Sequence, residues 1–253
     1  MSHLIGRPLP RLAAIFLLFA AMLAATLTTQ FVTAPKAHAD GCYTWSRTLS
    51  EGAVGADVEQ LQIRIAGYPG YGKHLAIDRD FGPATKAALV LFQKAYGLPA
   101  TGIADGTTYN KIYALQDDDC TPIHFTYAEL DDGCGGSGYD GGPLSAADTK
   151  LNALKTMWQL EAMRHAMGDQ PLNISSGFRS IPCNRSVGGA SDSQHLYGRA
   201  ADLVGSHSLC ALVKQARYHG FGGILGPGFS GHNDHAHLDI RTSNYWSAPS
   251  CGI

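Results

Sequence analysis

Six cysteines are the feature that most restricts the folds open to this chain of 253 residues. They are Cys42, Cys120, Cys134, Cys183, Cys210 and Cys251. An even number of cysteines in an exported chain indicates disulfides, here three. The sequence alone does not choose among the many pairings, although the positions suggest that neighbours in the chain pair in order. No C-x-x-C pair occurs, so we do not expect a zinc site built from thiolates.

A signal peptide is predicted over residues 1–39. Two arginines precede an apolar run at residues 12–27, and Ala-His-Ala at 37–39 is a cleavage site of the small-x-small type. The apolar run is rather short for a membrane span. We therefore expect a secreted mature chain that starts at Asp40 and does not contact the membrane after cleavage.

The charge of the mature chain is unfavourable for nucleic-acid binding. Removal of the leader takes away three basic residues and no acidic ones, which leaves 16 Lys and Arg (19 less three) against 21 Asp and Glu, a net charge of −5. Proteins that bind nucleic acid usually carry a basic patch. The chain has 253 residues, of which 45% are hydrophobic. This length and composition suit two modest domains better than one.

Residues 42–116 have the pattern of a small three-helix bundle. Apolar residues at 58, 61 and 65 have helical spacing. A second helix is expected to begin near Pro83, where a missing N–H costs nothing, and to end at Gly97. A short third helix is predicted from Asp105 to Leu115. We expect the side chains of this core to be Phe81, Leu91, Phe92, Tyr109 and Ile112.

This pattern resembles the peptidoglycan-binding domain of the three-helix type. The resemblance is carried by Val58 to Gln62, Asp80 to Leu89, Phe92 to Lys94, Gly97-Leu98 and Thr101-Gly102. It implies that residues 40–119 form a domain that targets the chain to the cell wall. The alternative is a small helical bundle without a ligand, and the sequence does not distinguish glycan from peptide as the ligand.

A second domain is expected over residues 120–253. Ser145-x-x-Asp148 is similar to a capping box and predicts the start of a long helix that ends at Gly168. Its buried face is predicted to be Leu151, Leu154, Trp158 and Ala162. Ser208 is expected to cap a later helix. Strands are predicted at residues 172–174, 221–225 and 235–241. Helices and strands in mixed order, without regular β-α-β repetition, indicate an α+β fold.

Two histidines and one aspartate are candidate metal ligands in this second half. They are His195, Asp202 and His237, the last in a predicted strand of alternating polar and apolar residues. Two imidazoles and one carboxylate leave a fourth position of a zinc ion open for water. Asp234, three residues before His237, is the candidate carboxylate that takes a proton from that water. A lone histidine is usually structural and the chain has eleven, so the joint pattern carries the prediction.

The joint pattern resembles the zinc D-alanyl-D-alanine carboxypeptidases and related D,D-dipeptidases. Their motif Ser-x-His-x-x-Gly-x-Ala-x-Asp, followed by Asp-x-x-His, is present in full. Its fixed positions are Ser193, His195, Gly198, Ala200, Asp202, Asp234 and His237. With the first domain, the whole mature chain resembles the secreted two-domain enzymes of this kind. The resemblance implies a C-terminal zinc peptidase domain with a mainly antiparallel sheet and flanking helices.

The resemblance also implies a disulfide pairing and the composition of the metal site. The disulfides would join Cys42 to Cys120, Cys134 to Cys183 and Cys210 to Cys251. One catalytic Zn²⁺ would be bound by His195, Asp202 and His237, with Asp234 at the position of the general base. Some relatives have glutamate there, and aspartate is one methylene shorter.

Other residues of the site are assigned by the same resemblance. Arg179 matches an arginine that faces the substrate, and its planar guanidinium suits a carboxylate or a developing oxyanion. The alternative is an ion pair of Arg179 with an acidic residue of the fold. His235 is predicted to donate a hydrogen bond to the tetrahedral intermediate or to support a neighbouring group, and His232 is a further catalytic candidate. Asp239 is predicted to orient a histidine ring.

The expected activity is hydrolysis of the terminal D-Ala-D-Ala bond of peptidoglycan stem peptides by a monomer. D,D-endopeptidase action on cross-bridges stays open. One alternative is an L,D-peptidase or amidase with the same zinc site, and another is a wall-binding protein with a relic site. No Ser-x-x-Lys or Gly-x-Ser-x-Gly pattern is present, so the usual signature of the penicillin-sensitive enzymes with a serine nucleophile is missing.

Overall fold

The computed structural model describes residues 41–131, 134 and 136–253. The predicted signal peptide lies outside the described residues. Within them, no helix has both the length and the apolar character needed to cross a bilayer.

Three helices form the N-terminal half: α1 (Ala56–Ile65), α2 (Pro83–Ala95) and α3 (Gly106–Ala114). The predicted boundaries of α2 and α3 are confirmed. Pro83 is the first residue of α2, and Gly97 follows its end with a positive φ of 67°. At α3 the Asp105 carboxylate accepts two N–H groups of the first turn. Leu91 was expected in the core and this was wrong, because it lies on the outer side of α2 and is exposed.

A buried glutamine connects each of the first two helices to the turn that follows it. The amide nitrogen of Gln62 donates to the carbonyl of Asp80 and the hydroxyl of Thr85, and its oxygen accepts the N–H groups of residues 78 and 79. Gln93 in α2 donates to the carbonyl of Ile103 and accepts the N–H of Gly102. These polar side chains are buried but fully hydrogen-bonded, so they fix the turns without the cost of an unpaired group.

The C-terminal half is built on a five-stranded sheet in the order β1-β2-β4-β3-β5. The strands are β1 (Asn173–Ser176), β2 (Ala200–Val204), β3 (Gly223–Leu225), β4 (Ala236–Asp239) and β5 (Tyr245–Ser247). All pairs are antiparallel except β3 with β5. The predicted α+β fold with a mainly antiparallel sheet is thus confirmed, although β2 and β5 were not among the predicted strands.

Four further helices flank this sheet: α4 (Tyr127–Leu130), α5 (Ala146–Ala166), α6 (Ile181–Ser186) and α7 (Leu209–Ala216). Helices α5 and α7 contact β2, and α5 also contacts α1. The hydroxyl of Ser145 accepts the N–H of Asp148 and starts α5 as predicted. The prediction of Leu151 as a buried residue was wrong. Because α5 lies between α1 and the sheet, it is buried on several sides and has no single apolar face.

Three disulfides and a buried histidine connect segments that are distant in the chain. The disulfides are Cys42–Cys120, Cys134–Cys183 and Cys210–Cys251, which confirms the sequential pairing. His219, after α7, donates a hydrogen bond from Nδ1 to the carbonyl of Gly67 at 2.8 Å. Its Nε2 accepts a hydrogen bond from the side chain of Gln215. It thereby ties the turn after α1 to the C-terminal half.

Candidate metal centre and active site

The three predicted ligands meet in one buried cluster. His195 lies on a short 3₁₀ helix (Gln194–Tyr197), Asp202 in β2 and His237 opposite it in β4. His195 Nε2 is 3.1 Å from His237 Nδ1 and 3.1 Å from Asp202 Oδ1, and His237 Nδ1 is 2.8 Å from that same oxygen. Two nitrogens and one oxygen therefore converge on one point.

Glycine at position 198 makes this arrangement possible. Gly198 has a φ of 68°, a left-handed conformation that ends the 3₁₀ helix and turns the chain into β2. A Cβ at this position would lie 2.5 Å from the carbonyl oxygen of Thr149 in α5. The glycine of the motif thus brings His195 close to Asp202.

Both imidazoles are oriented by a partner on their other nitrogen. His195 donates its Nδ1 proton to the carbonyl of Gly177, and His237 donates its Nε2 proton to the carboxylate of Asp239 at 3.2 Å. Asp239 is fully buried and also accepts two hydrogen bonds from the guanidinium of Arg241. The predicted contact of Asp239 with a histidine ring is confirmed. Such outer partners direct the lone pair of the second ring nitrogen towards a metal.

The electrostatics of the cluster favour a bound cation. Burial opposes the ionisation of Asp202, but the adjacent imidazoles outweigh it and hold its pKa well below the ordinary value. Burial lowers the pKa of His195. Burial also disfavours the charged form of His237, yet its hydrogen bonds with Asp202 and Asp239 raise its pKa to about 9. The lowered pKa of Asp202 and the raised pKa of His237 show that the carboxylate stabilises positive charge at this point.

The donor set fits zinc. Zinc prefers four ligands in a tetrahedron, and two histidines with one carboxylate are a known catalytic set that leaves one position open. His195, Asp202 and His237 are the residues that could hold the ion.

Comparisons with known proteins agree with this geometry. The family described as "Peptidase M15" matches residues 123–239, and the "Putative peptidoglycan binding domain" matches residues 54–112. A zinc D-Ala-D-Ala carboxypeptidase of Streptomyces albus G is 61% identical over 232 residues, which cover 91% of this chain and 90% of the relative. The chain belongs to the peptidase M15 family. A crystal structure of the Burkholderia AP3 phage endolysin is 33% identical over 44% of this chain and 36% of its own, with a TM-score of 0.25.

Arg179 of the M15 domain contacts one of the candidate metal ligands, Asp202. Its Nη2 donates to Asp202 Oδ2 at 2.5 Å, and its Nε donates to the hydroxyl of Ser176 at 2.9 Å. The ion pair considered as the alternative is therefore present, and it involves a metal ligand. It fixes the carboxylate so that Oδ1 faces the imidazoles. The contact of Arg179 with substrate stays a prediction.

His235 and Asp234 form a hydrogen-bonded pair beside the cluster. His235 is 20% exposed, and its Nε2 lies 3.8 Å from Asp202 Oδ1. Its Nδ1 donates to Asp234 Oδ1 at 2.8 Å, and this hydrogen bond lowers the pKa of the carboxyl group. The Asp234 side chain is 89% exposed. Within the described part of the chain, it reaches the ligands only through His235. The predicted base thus lies one hydrogen bond further out than expected.

His232 lies on the same side of the site. Its ring centroid is 4.8 Å from that of His235 and 5.8 Å from that of His237. Burial lowers the pKa of His232. Of the four predicted catalytic side chains, Arg179 and His235 lie beside Asp202. Asp234 reaches the cluster through His235, and His232 lies against the rings of His235 and His237.

Several residues that build the site were missed from the sequence. A backbone carbonyl such as that of Gly177 leaves no signal in a residue pattern. Arg241 could have been found, because Asp239 and Arg241 alternate along the chain and two residues apart share a strand face. Gly223 in β3 lies opposite Asp239, and a Cβ there would be 2.1 Å from the Asp239 carboxylate. Its missing side chain leaves room for the carboxylate that orients His237.

Proposed function

We propose that this chain is a secreted zinc carboxypeptidase that releases the terminal D-alanine from D-Ala-D-Ala ends of peptidoglycan stem peptides. The observation that carries the proposal is the convergence of His195, Asp202 and His237 in a chain 61% identical, over 91% of its length, to an enzyme of that name. These three residues would bind one zinc ion. The domain that matches peptidoglycan-binding proteins supports the cell wall as the site of action.

Zinc, when bound, would supply a Lewis acid for the scissile carbonyl and lower the pKa of a water molecule towards about 7. The chain contributes the orientation of the ligands. Arg179 holds one oxygen of Asp202, so the other stays directed at the imidazoles. Asp239 and the carbonyl of Gly177 hold the two rings.

Proton transfer falls to Asp234 and His235 in this proposal. Because His235 donates Nδ1–H to Asp234, its neutral ring has an unprotonated Nε2 on the side of the metal ligands. That nitrogen can accept the proton of the attacking water and return it to the leaving amine. Asp234 holds the ring in this tautomer and stabilises its charged form, as a carboxylate does beside a catalytic histidine.

Arg179 is proposed to stabilise negative charge in the transition state, and His232 is proposed to contact the substrate. Arginine has five N–H donors, of which Arg179 uses two for Asp202 and Ser176. The remaining donors suit the oxyanion that develops on the scissile carbonyl. His232 donates a hydrogen bond from Nδ1 to the carbonyl of Ser230, so the Nε2 of its neutral ring can accept a hydrogen bond from a substrate N–H.

Two variants separate a direct role of Asp234 from a role through His235. If Asp234 acts through the ring, His235→Gln should lower kcat by about 100-fold or more, and Asp234→Asn should lower it less. Both variants should retain one zinc per chain by atomic absorption. Asp118→Asn, an exposed aspartate elsewhere, is the control. A His235→Gln enzyme with wild-type kcat would contradict the role of the ring.

The finer assignments are part of the same proposal. Residues 1–39 would be a signal peptide, residues 40–119 the wall-binding domain and residues 120–253 the peptidase. Three disulfides support an oxidising compartment outside the cytoplasm. The mature enzyme would be a monomer, and its partner would be peptidoglycan. Product analysis tests the cleavage point, because free D-alanine supports D,D-carboxypeptidase action and released cross-linked fragments support D,D-endopeptidase action instead.

A further inference from the structure

An exposed group of aromatic side chains lies where the two halves of the chain meet. We define the junction cluster as Tyr71, Arg217, Tyr218 and Trp246. Tyr71 lies in the turn between α1 and α2, Arg217 and Tyr218 follow α7, and Trp246 lies in β5. The ring of Tyr71 is 5.0 Å from that of Tyr218 and 5.6 Å from that of Trp246, at angles of 58° and 71°. Tyr71 is 52% exposed and Tyr218 is 47% exposed.

Arg217 gives this cluster a positive charge. Its guanidinium carbon lies 5.4 Å from the ring centre of Tyr71 and 5.9 Å from that of Trp246. It donates to the hydroxyl of Tyr71 and to the carbonyl of Lys214. No carboxylate among the described residues forms an ion pair with it, whereas five other arginines have such a partner. The positive charge of Arg217 is thus available to a ligand.

The backbone around the cluster is fixed by contacts between the two halves. The N–H of Gly72 donates to the carbonyl of Arg217 at 2.8 Å, and the carbonyl of Gly72 accepts from the side chain of Asn244 at 2.9 Å. The indole N–H of Trp246 donates to the carbonyl of Phe221. The backbone at Tyr71 and Arg217 and the indole of Trp246 are therefore held in place before any ligand binds, which lowers the cost of binding.

Trp246 of the cluster lies in β5, an edge strand of the sheet whose inner strands β2 and β4 carry candidate metal ligands. Register across β3 places Tyr245 on the face of Asp239 and His237, and the next residue, Trp246, on the opposite face. The candidate metal ligands lie in β2 and β4, so β3 and β5 separate the cluster from them along the sheet.

We propose that the junction cluster binds the glycan strand of peptidoglycan. Sugar rings present apolar C–H faces, which pack on the electron-rich faces of aromatic rings, and a guanidinium can donate hydrogen bonds to the hydroxyl and amide oxygens of the strand. Tyr71 comes from the peptidoglycan-binding half, and the other three residues come from the peptidase half. The bound strand would span both halves, and its stem peptides would reach the metal face around the edge strand β5. The inference goes beyond the proposed activity, which concerns the peptide alone.

The test measures binding of peptide-free glycan strands, prepared by amidase digestion of sacculi, to the zinc-loaded mature chain by titration calorimetry. The wild type should bind, and Tyr218→Ala and Arg217→Gln should each weaken binding by about tenfold or more, as loss of an aromatic or arginine anchor does. Tyr218→Phe, which keeps the ring, should bind like the wild type. Val187→Ala and Arg185→Gln remove an exposed apolar side chain and an exposed charge elsewhere, and should have no effect.

A second measurement separates this inference from the proposed function. D-alanine release from a soluble L-Lys-D-Ala-D-Ala tripeptide should be the same in all five variants, because a tripeptide carries no glycan. Unchanged tripeptide turnover also shows that the variants are folded. The inference is overturned if the wild type does not bind peptide-free strands, or if Tyr218→Ala and Arg217→Gln bind them as tightly as the wild type.

Discussion

Replacement of Gly223 by alanine should weaken zinc binding although residue 223 is not a ligand. Gly223 lies opposite Asp239 in the β3–β4 pair. A Cβ at this position would be 2.1 Å from Oδ2, 2.3 Å from Cγ and 2.5 Å from Oδ1 of Asp239. Asp239 is fully buried and is held between His237 and Arg241, so the carboxylate cannot rotate into solvent.

The size of the effect follows from these distances. Non-bonded heavy atoms lie comfortably at about 3.5 Å, so the Asp239 carboxylate must retreat by about 1 Å or more. A retreat of this size breaks its 3.2 Å hydrogen bond with His237 Nε2. Loss of such an outer partner lowers metal affinity by about 10- to 100-fold. The forced overpacking should also lower the free energy of unfolding by about 1–3 kcal/mol.

Competition with a chromophoric chelator measures the zinc affinity of Gly223→Ala. Gly106→Ala is the matched control, because a Cβ at residue 106 meets no atom within 4 Å. Excess zinc should restore part of the D-alanine release of Gly223→Ala. A Gly223→Ala enzyme that binds zinc as tightly as the wild type would refute the role assigned to Asp239.

Three other predictions concern stability. Gln62→Leu leaves buried backbone groups of the following turn unpaired and should lower the free energy of unfolding by about 2–4 kcal/mol in urea titrations. Burial lowers the pKa of His219 from 6.5 to about 4, so the folded state binds fewer protons than the unfolded chain between these values. Stability should therefore fall as the pH drops from 6.5 to 4, by up to about 3 kcal/mol from this group, and less in His219→Asn. Loss of the Cys210–Cys251 disulfide, which closes a loop of 41 residues, should cost about 4 kcal/mol by thermal unfolding of the double serine variant. A free energy of unfolding equal to that of the wild type would contradict the first and third of these, and a pH dependence in His219→Asn equal to that of the wild type would contradict the second.

Local signals in the sequence predicted much of the fold and the ligand set. Pro83 and Ser145 marked helix starts because capping depends on residues next to each other in the chain. The alternation of polar and apolar residues around His237 placed His237 and Asp239 on one strand face, because strand geometry repeats every two residues. The sequence marks Gly198 only as a fixed position of the motif, and the structure shows that it forms the left-handed turn between His195 and Asp202.

Non-local contacts could not be predicted in this way. The pairing of Asp202 with His237 depends on the register of β2 against β4, two segments far apart in the chain. Leu151 was misplaced because α5 is covered by both α1 and the sheet, so its sequence has no clear amphipathic period. The distance of Asp234 from the ligands depends on the ring of His235, which lies one residue before β4.

The most direct test of the account is release of D-alanine from an L-Lys-D-Ala-D-Ala tripeptide in the presence of penicillin, with and without a zinc chelator. If His195, Asp202 and His237 hold one catalytic zinc, D-alanine release should resist penicillin, stop with the chelator and return with added zinc. It should be absent in His195→Ala. Release that persists in the chelator or in His195→Ala would contradict the central claim, and so would a chain with one bound zinc that releases no D-alanine.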